Sequence, residues 1–219
     1  IFNPTGTDVD LSNYSIERHA NGGVSTDQMQ LSGILPAGET WVITNSQIDT
    51  ANMFGYIDME LYELANQLAP LYPSPLYFNG NDAVSLLKNQ EIVDIIGRIG
   101  EDPGMAWTDD ATAGFTDANG GNWWTKSHTL IRKPHITNGV TVNPQLFNPV
   151  LEWDTLPINE FSNLGSHVTD YFVIDDSSAQ IINISPNIAH QGEYLDVNIS
   201  GSNISFSEYF EDFHHFVVL

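Results

Sequence analysis

Turns, more than any hydrophobic run, constrain what this chain can fold into. Clusters of Gly, Pro, Asn and Asp recur along its first half as NPTGTD, HANGG, LPAGE and NGND. Each supplies backbone angles that helices and strands avoid, so the chain reverses direction at every one. What lies between is short. Leu11–Glu17 (LSNYSIE), Gln28–Leu31 and Thr40–Ile43 (TWVI) alternate apolar and polar residues with the period of a half-buried strand. Ala83–Leu87 (AVSLL) and Glu91–Ile96 (EIVDII) are two more, joined as a hairpin through Lys88-Asn89-Gln90. In the second strand, Ile92 and Asp94 share one face, and Val93 and Ile95 share the other. Many short strands with frequent turns predict an all-β sandwich.

One segment departs from this pattern. Asp58–Ala69 (DMELYELANQLA) spaces Leu61, Leu64, Ala65 and Leu68 at helical intervals, with Asp58 at the N-cap and Pro70, Pro73 and Pro75 beyond. A short helical insertion is predicted there. Gly97, Gly100, Pro103 and Gly104 then lead out of the sheet into residues 105–126, read as an extended surface loop. His128–Arg132 (HTLIR) is a further strand, halted by Pro134. From Asn143 to Leu164 the prolines Pro144, Pro149 and Pro157 predict broken structure, anchored by Phe147, Trp153 and Phe161, with Trp153 and Trp41 as core residues. The polar stretch Asp175-Asp176-Ser177-Ser178 reads as a linker. Beyond it, Ile181–Ile184 and Tyr194–Ile199 read as strands of a second β-module. The tail EDFHHFVVL leaves the pattern, so a truncated module is expected. The expected organisation is a domain over 1–168, a linker over 169–180 and a partial module over 181–219.

Charge narrows the function. Six Lys and Arg stand against 28 Asp and Glu, a formal net charge of −22. Nucleic-acid binding draws most of its affinity from Lys and Arg at the phosphates, so direct binding of DNA or RNA is not expected. The same field attracts divalent cations. With no cysteine, disulfide staples, thiolate metal sites and a cysteine nucleophile are all excluded. No stretch reaches the ~18 consecutive apolar residues of a membrane helix, so no span is expected. The opening IFNPTG, with neither initiator Met nor signal peptide, reads as a mature or trimmed chain.

Five blocks now bear on family: FNPTGTDVDLSNYSI, LPAGETWVI, YFNGNDAVSLLKNQEIVDIIGRIGEDPG, HTLIRKP and EWDTLPINEFSNLGSH. In that order they resemble the bacterial form of the lamin tail domain, over roughly residues 1–168. The resemblance implies an immunoglobulin-like β-sandwich of the kind found in secreted and surface proteins, often beside nuclease or phosphoesterase domains. Such relatives carry a strand before the NP turn that is missing here, and a shorter connection where residues 52–72 lie. Further on, IINISPNIAHQG and LDVNISGSN resemble the opening of another Ig-like module of secreted Bacteroidetes-type proteins. Together they imply an extracellular or cell-surface multi-domain parent. A sandwich short of one strand leaves an unpaired edge, which another chain could fill by strand donation.

Candidate sites are few. Asp8 and Asp10 at i, i+2, Asp82 in the NGND turn, and Asp117 are the carboxylates considered for calcium. Calcium takes about six to eight oxygens, more than one turn supplies, so NGND reads as a corner at a strand entry. Asp117-Ala118-Asn119-Gly120-Gly121-Asn122 fails as an EF-hand loop, with Gly121 at the fifth position and His128 at the twelfth. A calcium site at any of them needs ligands from elsewhere in the chain. No zinc-helix spacing, nucleophile elbow or phosphate loop occurs, and no catalytic residue is assigned. Trp107, Trp123 and Trp124 are the candidate binding residues. An exposed indole stacks on a sugar ring or anchors a protein partner, and a buried one covers the open end of a sandwich. Lys126, Arg132 and Lys133, half of the six basic residues, form an anion-facing edge or pair with nearby carboxylates. The expected function is a non-catalytic binding or spacer module contacting a protein or glycan. The alternatives are an accessory domain of a secreted nuclease or phosphoesterase, and a calcium-stabilised spacer.

Overall fold

A computed structural model of the chain describes residues 1–24, 26–46, 59–158, 160–170, 180–185 and 198–202. Its main sheet has four antiparallel strands in the order β3 (Thr26–Gln30), β2 (Tyr14–His19), β7 (Ala83–Lys88), β8 (Glu91–Ile96). Cross-strand partners share a face. Ile16 stands opposite both Met29 and Leu86, and Val84 opposite Ile96, which gives the sheet an apolar inner face.

The β7–β8 hairpin is tighter than the three-residue connection suggests. Lys88 pairs with Glu91, leaving Asn89 and Gln90 as a two-residue turn with φ of 52° and 70°. Two successive positive φ values match the right-handed twist of the flanking strands. The second strand is not unbroken. Leu86 pairs with Asp94 and Leu87 with Ile92, so Val93 is an extra, bulged residue. The bulge changes the phase of the strand. Asp94 therefore sits beside Leu86 on the core side, and Ile92 shares the opposite face with Leu87, against the simple alternation.

The facing layer is assembled from shorter pieces. β1 (Val9–Asp10) pairs with β4 (Ile34–Leu35), and Phe2 bridges Thr40. β5 (Ile43–Asn45) runs parallel to β6 (Gln67–Ala69), and β9 (Thr129–Arg132) pairs with β10 (Trp153–Leu156). One buried cluster joins both layers, including Leu11, Leu31, Leu35, Trp107, Leu130, Phe147 and Trp153. The fold is all-β and immunoglobulin-like.

Four readings change. Leu11–Asn13 is a turn of 3-10 helix, capped by Asp10, so the strand expected over Leu11–Glu17 starts only at Tyr14 and runs on to His19 as β2. The helix α1 covers only Met59–Leu64, and its expected cap, Asp58, lies outside the described residues. Its expected last turn is strand β6. The amides of Asn66 and Gln67 both donate to Val42 O, and the Gln67 side chain bonds Ser32 N and Gln30 O. Tertiary partners for these groups outweigh a weak helical preference. Residues 105–126 are not an extended surface loop, since Ala106, Trp107 and Thr108 are fully buried. Finally, Pro149 starts a structure instead of breaking one. It opens α2 (Pro149–Glu152) behind the cap Asn148, and β10 follows directly.

Beyond residue 170, β11 (Gln180–Ser185) and β12 (Asn198–Ser202) form an antiparallel pair with an irregularity between Ile181 and Asn183. Residues 194–197 of the expected strand Tyr194–Ile199 lie outside the described residues, as do 171–179 of the expected linker.

Candidate functional site

The NGND turn positions the loop that carries the tryptophans. Gly80 has φ of 107°, and a Cβ there would meet Thr125 O at 2.2 Å. Only glycine allows the two backbones to approach so closely. Thr125 Oγ1 donates to Gly80 O and in turn accepts from Trp107 N at 3.0 Å. The Asn81 amide donates to Asn21 Oδ1 and to Gly104 O. Asp82 Oδ1 accepts from Asn21 N at 3.0 Å, with Arg18 at 3.9 Å from its other oxygen. Burial raises the Asp82 carboxyl above its ordinary value, outweighing the Asn21 bond and the Arg18 charge. The turn is a corner holding three loops together.

From that corner the three tryptophans diverge. Trp107 is fully buried, with its ring edge-on to Phe147 at 5.4 Å between centroids. Its indole is closed to any partner, which removes it as a contact residue. Trp123 and Trp124 are neighbours in extended chain, so their side chains leave on opposite sides. Trp124 turns inward against the core, and its backbone N–H donates to Trp107 O at 2.9 Å. Trp123 turns outward and is 44% exposed. Its Nε1 donates to Asp117 Oδ1 at 2.9 Å, which fixes the ring on the surface. Asn122 beside it is held by Asp109 through both its backbone and its side-chain amide, at 3.0 and 2.9 Å. Asp110 caps the next turn by accepting from Thr112 N and Oγ1, and these bonds hold its carboxyl below the ordinary value. The result is one exposed indole on a rigid, amide- and carboxylate-rich surface.

The four carboxylates considered for calcium are not brought together. Asp8 Oδ1 accepts from Ala37 N, Asp10 Oδ1 from Ser12 N, Asp82 Oδ1 from Asn21 N, and Asp117 Oδ1 from Trp123 Nε1. The Ser12 bonds lower the Asp10 carboxyl. Among the described residues, no three side chains of His, Asp or Glu gather as a metal site.

The strongest electrostatic feature is elsewhere, and sequence reading reached only half of it. Arg132 was expected to meet carboxylates. It forms two 2.7 Å bonds from Nη2 to the oxygens of Asp94, both side chains being fully buried. Its Nη1 lies 3.1 Å from Glu152 and bonds Asn138 O, and its guanidinium lies 4.3 Å over the Trp153 ring. Asp94 also accepts from Val140 N at 2.9 Å. The bulge at Val93 aims Asp94 at this site, and nothing in the alternation announces it. The cluster is a buried clamp between β8 and β9. Two clefts lie among the described residues. One of about 320 Å³ lies between β5 and the main sheet, and one of about 310 Å³ lies beneath the NGND corner. They share Phe78, Val84 and Phe161.

The family model of the Lamin Tail Domain matches residues 1–100 of the 219. That family is an immunoglobulin-like, non-catalytic domain, and the resemblance read from the sequence is supported over those residues. No curated protein and no solved structure matches the chain. Among the described residues, no helix is long and apolar enough to cross a membrane.

Proposed function

We propose that this chain is a non-catalytic binding and spacing module of a larger secreted or cell-surface protein, which meets a protein or glycan partner at the loop face of Trp123. The observation that carries the reading is the exposed indole, 44% accessible, fixed by its bond to Asp117. A ring already held in one orientation gives stacking or anchoring area at small entropic cost. The Asn122 and Asp109 groups alongside offer hydrogen bonds to hydroxyls or backbone amides. A net charge of −22 favours a neutral or basic partner over an anionic one. The extracellular assignment rests on the resemblance to secreted and surface proteins.

Binding of glycan arrays and of cell-surface proteins should fall sharply for Trp123→Ala and persist for Trp123→Phe. Undiminished binding by Trp123→Ala would remove this face from the reading. A calcium-stabilised spacer has less support, because each candidate carboxylate already accepts a hydrogen bond from the protein. A melting temperature that rises with millimolar calcium and falls with chelator would reinstate it.

A further inference from the structure

We propose that Asn138–Gly139 is a self-modifying site, where the chain converts Asn138 to aspartate and isoaspartate and so loosens the buried Arg132 clamp. An asparagine before glycine is the pair most open to this chemistry. Glycine puts no Cβ in the way of its own nitrogen as that nitrogen approaches the side-chain amide. The chain has four such pairs, at Asn21, Asn79, Asn119 and Asn138. The fold treats them differently. At Asn21 the side-chain oxygen accepts from Asn81 at 2.8 Å, and a Cβ on Gly22 would lie 2.6 Å from Asp102 N. At Asn79 the carbonyl accepts from Ser127 N at 3.1 Å, and Gly80 is pressed onto Thr125 O. Both pairs are locked between backbones. Asn119 is exposed, but its amide donates to Thr112 Oγ1 at 3.3 Å and Gly120 N donates to Asp117 O at 3.4 Å. Asn138 has neither restraint. It is exposed, its oxygen accepts from the Thr137 hydroxyl at 3.4 Å, and among the described residues no acceptor holds its amide nitrogen or Gly139 N.

The step needs no reagent but water. Gly139 N attacks Asn138 Cγ, forming a C–N bond and closing a cyclic imide. The Cγ–Nδ2 bond breaks, the Gly139 proton passes through solvent to the departing nitrogen, and ammonia leaves. Water then opens the imide at either carbonyl. Opening at Cγ gives aspartate. Opening at the backbone carbon gives isoaspartate, whose main chain runs through Cβ and Cγ and is longer by one carbon.

The pair is consequential because of its place beside the clamp. Arg132 Nη1 donates to Asn138 O at 3.1 Å, and Val140 N donates to Asp94 Oδ1 at 2.9 Å. The reacting peptide lies between these two bonds. In isoaspartate the oxygen that Arg132 bonds belongs to a free carboxylate, and the added carbon displaces Val140 from Asp94. The guanidinium then meets a third carboxylate beside those of Asp94 and Glu152. Asp94, fully buried, loses one of its donors. A buried carboxylate short of a donor destabilises the fold, so the modified clamp is weaker. No residue of the Trp123 face takes part, and the two proposals stand or fall separately.

The test holds the full polypeptide, folded, at mildly alkaline pH and follows each asparagine by peptide mapping with mass spectrometry and an isoaspartate assay. Asn138 should lose its amide first, Asn119 more slowly, and Asn21 and Asn79 last. The gap to the last two should be roughly ten-fold or more, the ratio that about 1.4 kcal/mol of local opening imposes. In denaturant the four rates should converge. Chemical denaturation of the aged protein should show a lowered midpoint. Asn138→Gln, whose larger ring closes far more slowly, should keep its own midpoint through the same incubation. Freshly made Asn138→Asp carries the new charge without the added carbon, and its midpoint should stay near that of the unaged parent. Asn21 or Asn79 reacting as fast as Asn138 in the folded chain overturns the site. An unchanged midpoint once residue 138 is largely isoaspartate, or an equal loss in aged Asn138→Gln, overturns the link to the clamp.

Discussion

The two parts of the sandwich are held by different physics. Residues 1–100 build the main sheet from short strands with apolar inner-face residues such as Ile16, Met29, Val84 and Leu86, so local pattern and tertiary position agree except at the Val93 bulge. Residues 101–168 contribute few strand residues, yet they supply Trp107, Leu130, Phe147 and Trp153 to the same core. They are held by a glycine that lets backbones touch, by side chains bonded to distant carbonyls, and by one buried arginine. The family match stops at residue 100, but the hydrophobic core does not. A stretch with little regular structure of its own can still be integral to a fold when its anchors are large and its polar groups are satisfied.

That contrast is most exposed to a truncation. A chain ending at residue 100 should show no cooperative unfolding transition, because it loses four large core side chains and leaves Asp94 without Arg132. A sharp thermal or denaturant transition from that fragment would mean the first part is self-sufficient. Next in size is the clamp. Arg132→Ala should lower stability by about 3–5 kcal/mol, since it strands a buried carboxylate. The pair Asp94→Leu with Arg132→Met should be far milder, and chemical denaturation of all three proteins decides the matter. A more local break is Asn3→Ala. Asn3 is fully buried, donates to Thr7 O, Leu35 O and Pro36 O, and accepts from Thr5 N and Oγ1. Its loss should cost about 2–3 kcal/mol by leaving several of these groups unsatisfied.

A smaller effect should follow acidification. The His167 imidazole, edge-on to Phe2, is lowered from 6.5 to about 4, by burial foremost, with the positive charges of the α-amino group and Arg132 adding to it. The unfolded chain takes up this proton first as pH falls. Stability present above about pH 6.5 is therefore lost progressively toward pH 4. Asp82 and Glu152 oppose the trend, because burial raises both carboxyls and their protonation favours the fold on the acid side. Melting temperatures of His167→Gln should depend less on pH across that window than those of the parent. The smallest expected stability change is for Trp123→Ala, within about 1 kcal/mol, as suits a surface residue whose ring lies outside the core.

Legibility followed the range of the interactions. The β7–β8 hairpin was readable because its pattern and turn residues are adjacent in sequence. The corner role of NGND was readable from residue type alone, although its partner Thr125 was not. The helix was overextended because residues 66–69 take their hydrogen bonds from Val42, Gln30 and Ser32, outside any local window. Of the tryptophans, composition could not separate Trp107 from Trp123. One faces Phe147, the other solvent, and the choice depends on how the loop docks. The Asp94 pair was missed because its members lie 38 residues apart and a single bulged residue turns the carboxylate inward.

The sequence by itself determined the fold class, the main strands and turns, and the charge that disfavours nucleic acid. These follow from period, residue type and counting, which are properties of neighbours along the chain. Only the tertiary structure decided which tryptophan faces water, which arginine is buried, and that the carboxylates stay apart. Those outcomes depend on distances between residues remote in sequence, set by the closing of the two layers on one core.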